Sequence, residues 1–167
     1  MKTRPTVALT IRTSAGIFVA HYSDQGLAAL NFPSRSTTKT KATRPTGSSI
    51  RSWHALTTRA VKAIVAGKVP GELPPLDVSS GTEFQQRVWE ELLWIPCGET
   101  RSYGEIARSI RKPKSVRAVG GACGANPIPL LIPCHRVLAA NRKIGGFSGG
   151  LDWKKRLLQR EGVTVEE

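Results

Sequence analysis

The chain has 167 residues, enough for one large domain or two small ones, and 40% of them are hydrophobic, which excludes global disorder. Its 25 Lys and Arg against 12 Asp and Glu leave a formal charge of +13, which favours a polyanionic partner without saying which one. Three cysteines, Cys97, Cys123 and Cys134, form no CxxC pair and show no finger-like spacing with His21, His54 or His135, so neither a disulfide scaffold nor a structural zinc site is expected.

The first ten residues lack a basic-then-apolar leader pattern, and no apolar run reaches the roughly 18 residues of a membrane span. A reducing cytoplasmic setting (or the nucleus, in a eukaryote) is therefore expected, where a free thiol survives. Residues 6–11 alternate and predict a strand, Ser14-Ala15-Gly16 turns the chain, and residues 17–20 and 27–32 predict two more strands. Residues 33–49 are polar and basic, with prolines, and read as a loop. Trp53, Leu56, Ala60, Ile64 and Val65 recur at helical spacing and predict a helix over residues 50–66. Pro70, Pro74 and Pro75 forbid helix over residues 68–80, which read as a linker with a short strand, and a domain boundary is expected near Gly81.

Beyond Gly81 the pattern is helical. Thr82 is placed to cap a helix over residues 83–94 that turns Phe84, Val88, Trp89, Leu92 and Leu93 inward. Ser102 is placed to cap residues 103–110, Arg111 to Lys114 form a basic turn, and Ser115 is placed to cap residues 116–123, a helix rich in Ala and Gly. Helix, short turn, helix is the outline of a helix-turn-helix, although an ordinary antiparallel helix pair has the same pattern. Residues 151–160 predict a last amphipathic helix through Trp153, Leu157 and Leu158.

Chemistry concentrates in residues 126–137. Pro127, Pro129 and Pro133 stiffen an apolar approach to Cys134, and His135 and Arg136 follow it. A neighbouring imidazole and cations lower a thiol pKa and favour the thiolate, which is the nucleophile. Burial in an apolar segment is equally the usual setting of a packed core cysteine, and on the residues alone both readings stay open.

Residues 132–137 (IPCHRV) resemble the active-site signature of the O6-alkylguanine-DNA alkyltransferases, or methylated-DNA–protein-cysteine methyltransferases. So do TEFQQRVW from Thr82, IPCGETRSYGEIA from Ile95, RAVGG from Arg117, Asn126-Pro127, Ser148-Gly149-Gly150 and LLQREG from Leu157, in order and spacing. The resemblance covers residues 82–162, and the first 80 residues fit it only loosely. It implies an α/β N-terminal domain (a small antiparallel sheet plus a helix), residues 1–80. A mostly α winged-helix/helix-turn-helix C-terminal domain, residues 81–167, would follow.

The implied function is irreversible, stoichiometric transfer of an alkyl group from O6-alkylguanine in duplex DNA to Cys134. No cofactor and no metal are called for, and the chain is expected to be a monomer that approaches DNA through the minor groove. By the same resemblance His135 takes the thiol proton through a water, Glu161 orients His135, and Asn126 braces the turn before the cysteine. Tyr103 and Arg117 are implied to flip the base, with Arg117 filling the vacated stack. Val137, Phe147, Ser148 and Gly149 are implied to line the guanine pocket; Phe147 stands where many relatives carry Tyr. Ala118, Gly121 and Ala122 offer the little bulk that a narrow groove demands, and Gln85, Gly104, Lys112 and Ala140 are further candidate DNA contacts. Two other functions fit parts of the pattern: a non-catalytic protein that binds alkylguanine lesions, and a helix-turn-helix regulator. The presence of Cys134 argues against the first, and the few base-reading side chains on the second helix argue against the other.

Overall fold

The structure, a computed structural model, describes residues 7–35, 37–41, 43, 44 and 47–166. The expected strand start at Thr6 and parts of the 33–49 stretch lie outside these residues. The chain divides into two compact units, Met1–Ser80 and Gly81–Glu167.

The first unit is an antiparallel sheet of β1 (Val7–Thr13), β2 (Gly16–Tyr22) and β3 (Leu27–Asn31) in that order, covered by helix α1 (Ser48–Val65). The period of two puts Val7, Leu9 and Ile11 on one buried face of β1. The inward stripe of α1, with Ala60, Val61, Ile64 and Val65, is buried as well. The β1–β2 turn closes with Thr13 opposite Gly16, whose φ of +119° suits glycine. The expected short strand in the proline-rich stretch is a single bridge, Leu27 to Leu76, held by Leu27 N–H on the Pro75 carbonyl and Asp77 N–H on the Leu27 carbonyl.

The second unit is mostly helical: α2 (Glu83–Leu92), α3 (Tyr103–Ser109), α4 (Val116–Gly124) and α5 (Leu151–Arg160). A two-residue parallel pair, β4 (Arg101–Ser102) with β5 (Val137–Leu138), ties the start of α3 to the chain just past Cys134. Thr82 and Ser102 each make a full capping box, with Gln85 and Glu105 respectively. Ser115 departs from expectation. It sits at φ −101°, ψ 30° rather than in extended backbone, and its side chain caps nothing. Helix α2 ends at Leu92, two residues early, because Leu93, Trp94 and Ile95 close tighter turns onto Glu90, Glu91 and Leu92. The Trp89 indole N–H donates to the Ala122 carbonyl at 2.8 Å and pins α2 to the last turn of α4. The fold class is the expected one, an α/β unit followed by a mostly helical helix-turn-helix unit.

Candidate active site

The site is assembled around residues 126–137. Asn126 is buried and makes two bonds across the turn: its Nδ2 donates to the Ile132 carbonyl at 2.8 Å and its Oδ1 accepts from Ile128 N–H at 3.0 Å. Its side chain also acts to lower the pKa of the Cys134 thiol. Leu130, buried in the same turn, sits at φ +74°, a region that costs an L-residue roughly 1–2 kcal/mol. That strain is held by the packing of Ile128, Leu131 and Ile132 around it, all buried. Cys134 then opens a single 3-10 turn, Cys134–Arg136, and is itself only 4% exposed.

His135 is fully buried, and its Nε2 lies 2.9 Å from Glu161 Oε1. Glu161 also receives Arg136, whose Nε donates to Oε2 at 3.0 Å and whose Nη2 donates to Oε1 at 2.9 Å. Burial by itself raises the Glu161 carboxyl, but the hydrogen bonds from His135 and Arg136 outweigh it and hold the group at about 2. Burial likewise pushes His135 below its ordinary value, against the pull of Glu161, so the ring is neutral at pH 7. A neutral ring that donates Nε2–H to the carboxylate carries its lone pair on Nδ1. That atom is buried and has no hydrogen-bond partner among the described residues.

The thiol differs from expectation. Burial pushes Cys134 up, and the opposing influences are the Asn126 side chain and the charge of Lys154, not His135 and Arg136. Arg136 is unavailable because its guanidinium is committed to Glu161 and, through Nη1 at 2.7 Å, to the Ile95 carbonyl. The resting group is therefore the thiol, and a base must take its proton.

Lys154 is the residue that the sequence reading missed. It is fully buried, and Nζ donates to the carbonyls of Val137 at 2.7 Å, Gly146 at 3.3 Å and Gly145 at 3.5 Å. Burial lowers it to about 8, opposed by Cys134 and Cys123. A signal was available: Lys154 stands three and four residues before Leu157 and Leu158, on the inward stripe of α5.

The other candidates distribute as follows. Tyr103 opens α3 half-buried, against Gly145; a Cβ built there would fall 2.5 Å from the Tyr103 hydroxyl. Burial raises that hydroxyl to about 12, which keeps it a donor. Phe147 packs edge-on to His135 with centroids 6.4 Å apart. Ser148 is exposed, Gly149 half-buried, and the Val137 carbonyl is engaged by Lys154. Arg117, Ala118 and Gly121 lie exposed on one side of α4. Ala122 does not: it is 2% exposed, because it lies one turn from buried Val119 on the inward face, so its side chain is no DNA contact. Gln85 is occupied in the α2 cap, Gly104 is half-buried, and Lys112 and Ala140 are exposed. Among the described residues no group of three or more His, Cys, Asp and Glu is arranged to hold a metal ion.

Fold and site together define a protein with a buried cysteine beside a histidine–carboxylate pair, carried on a helix-turn-helix frame. Residues 83–163 match the family described as 6-O-methylguanine DNA methyltransferase, DNA binding domain. A methylated-DNA–protein-cysteine methyltransferase of Methanosarcina mazei is 54% identical over 94 residues, which are 54% of this chain and 60% of that protein's length. The Mycobacterium tuberculosis OGT solved in complex with DNA is 38% identical, with a TM-score of 0.77, over 92% of this chain and 91% of that one. The O6-methylguanine methyltransferase structure from the same organism is 35% identical, with a TM-score of 0.71, over 96% of each chain. The chain belongs to the O6-methylguanine-DNA methyltransferase family.

Proposed function

We propose that this protein repairs DNA by moving the alkyl group of O6-alkylguanine onto Cys134 irreversibly, once per molecule. The observation that carries the proposal is the neutral His135, tied to Glu161 through Nε2, with Nδ1 left as a buried acceptor next to the Cys134 turn. The thiol proton passes through a water to Nδ1, and the imidazolium is stabilised by Glu161. The sulfur then attacks the alkyl carbon in line. The C–S bond forms as the C–O6 bond breaks, the electron pair stays with the guanine, and the departing base regains a proton. The product is a thioether, and no group in the site reverses it.

A base inside a duplex is out of reach of a thiol that is 4% exposed, so the lesion must be flipped out. The protonated Tyr103 hydroxyl is suited to meet that base, and exposed Arg117 to enter the gap from α4. The small exposed side of Ala118 and Gly121 supports approach through the minor groove. A monomer suffices, because every residue invoked comes from one chain. The need to keep Cys134 reduced supports the cytoplasm, or the nucleus of a eukaryotic cell.

The test is to incubate the protein with duplex DNA bearing radiolabelled O6-methylguanine. One methyl per molecule should become protein-bound and map to Cys134, and Cys134→Ala should bind the DNA but take up no label. Lesion binding without protein-bound label in the wild type would favour the non-catalytic alternative. Label on Cys97 or Cys123 would overturn the assignment of the nucleophile.

A further inference from the structure

The charge of this protein is unevenly placed. Eleven of the 25 Lys and Arg but only three of the 12 Asp and Glu fall in residues 1–80, which is 11 − 3 = +8 of the total +13. The helix-turn-helix lies wholly in the other unit. Of the three acids, Asp77 is buried and bonded to Ser23 and Ser79. Among the described residues no carboxylate lies within ion-pair distance of Arg51, Arg59 or Lys62.

On α1 the free cations are ordered. Its solvent side carries Arg51, Arg59 and Lys62, with only Ser48, Ser49, Ser52 and Ala55 exposed between and before them. At 100° per residue the three cations fall within an 80° arc, and Arg51 to Lys62 spans about 16 Å of helix. Over that length a duplex presents on the order of ten phosphate charges. At one end Lys62 shares with Arg12, Thr13 and Ser14 a recess of about 340 Å³. The stripe has no large exposed apolar side chain, so it lacks the anchor that would insert into a membrane surface. Small residues between the cations let a backbone come close.

We infer that the outer face of α1, with Arg12 at its end, is a second contact for the phosphate backbone of duplex DNA, separate from the helix-turn-helix. Only the identity of the polyanion rests on the repair reading. Such a surface holds phosphates by charge and reads no sequence, so it raises affinity for damaged and undamaged DNA alike.

The experiment is the salt dependence of binding to an undamaged duplex, followed by fluorescence anisotropy across KCl concentrations, with the full chain. Arg51→Gln/Arg59→Gln/Lys62→Gln should make the log–log slope shallower by about 2 to 3, since each neutralised phosphate contributes about 0.9. Arg59→Gln alone should remove about 1. Reaction with free O6-benzylguanine should be unchanged, which also shows that the variant is folded. An unchanged slope overturns the inference. So does an equal loss from the control Lys41→Gln/Arg44→Gln/Lys68→Gln, which would assign the effect to bulk charge. If the wild type does not react with the free base at all, the repair reading fails, while the slope still tests the α1 surface.

Discussion

Glu161 receives hydrogen bonds from two different side chains, His135 and Arg136. With its carboxyl at about 2 in the folded chain against 4.5 ordinarily, the unfolded state binds the extra proton between those values. The stability it contributes, about 3 kcal/mol, is fully present above pH 4.5 and is lost as pH falls toward 2. His135, held neutral by burial, adds a loss that begins as pH falls below 6.5, because only the unfolded chain accepts that proton. Glu161→Gln should make the loss between pH 4.5 and 2 shallower, leaving the part that His135 contributes. At pH 7 it should destabilise by about 3–5 kcal/mol, because Arg136 is left buried without its counter-charge. Urea midpoints measured from pH 2 to 7 check both, and an unaltered acid limb in the variant would mean that Glu161 does not carry the dependence.

Cys134 and His135 stood out from the residues themselves, but the choice of a reactive over a packed cysteine, and Glu161 altogether, were legible only because their sequence blocks resemble a family. Nothing local links His135 to a carboxylate 26 residues away. Arg136 read as a neighbour of the thiol, yet a side chain of its length reaches Glu161 and the Ile95 carbonyl instead. Lys154 was hidden because a lysine is ordinarily assigned to solvent, and its burial depends on three carbonyls brought together by the tertiary fold.

At the scale of elements, three Ser or Thr residues precede helices and invite the same reading, but only two of them cap. Thr82 and Ser102 have extended backbone and reciprocal partners, whereas Ser115 follows the Lys112–Ser115 turn and its backbone is already curled. Thr82→Ala and Ser102→Ala should each lower stability by about 1 kcal/mol, and Ser115→Ala should be close to neutral. Chemical denaturation of the three variants separates them; a loss at Ser115 equal to the others would mean that it caps in solution. Strand alternation, proline breaks and capping signals made these elements readable along the chain. Which side of α4 meets the core was less so, since Ala and Gly leave too little contrast, and Ala122 was consequently put on the wrong side.

At the scale of the molecule, the spent protein should be weaker than the fresh one. Cys134 is held by a strained turn among buried Ile128, Leu130, Leu131 and Ile132, and interiors of this kind resist added volume at about 1–3 kcal/mol. A methyl adduct should lower the melting temperature by several degrees, and a benzyl adduct by more. Calorimetry before and after stoichiometric reaction measures the shift, and an unchanged or raised melting temperature for both adducts would show spare room around the sulfur.

Lys154 offers a view of the same site from outside. Its amine has no exposed surface, while Lys39, Lys41, Lys62, Lys68, Lys112 and Lys114 stand in solvent. An amine-acylating reagent will therefore mark the outer lysines at once and reach Lys154 only when α5 parts from the Val137 and Gly145–Gly146 carbonyls. The acylation of that one side chain, followed by peptide mass, becomes a clock for how often the folded pocket opens, with DNA and without it.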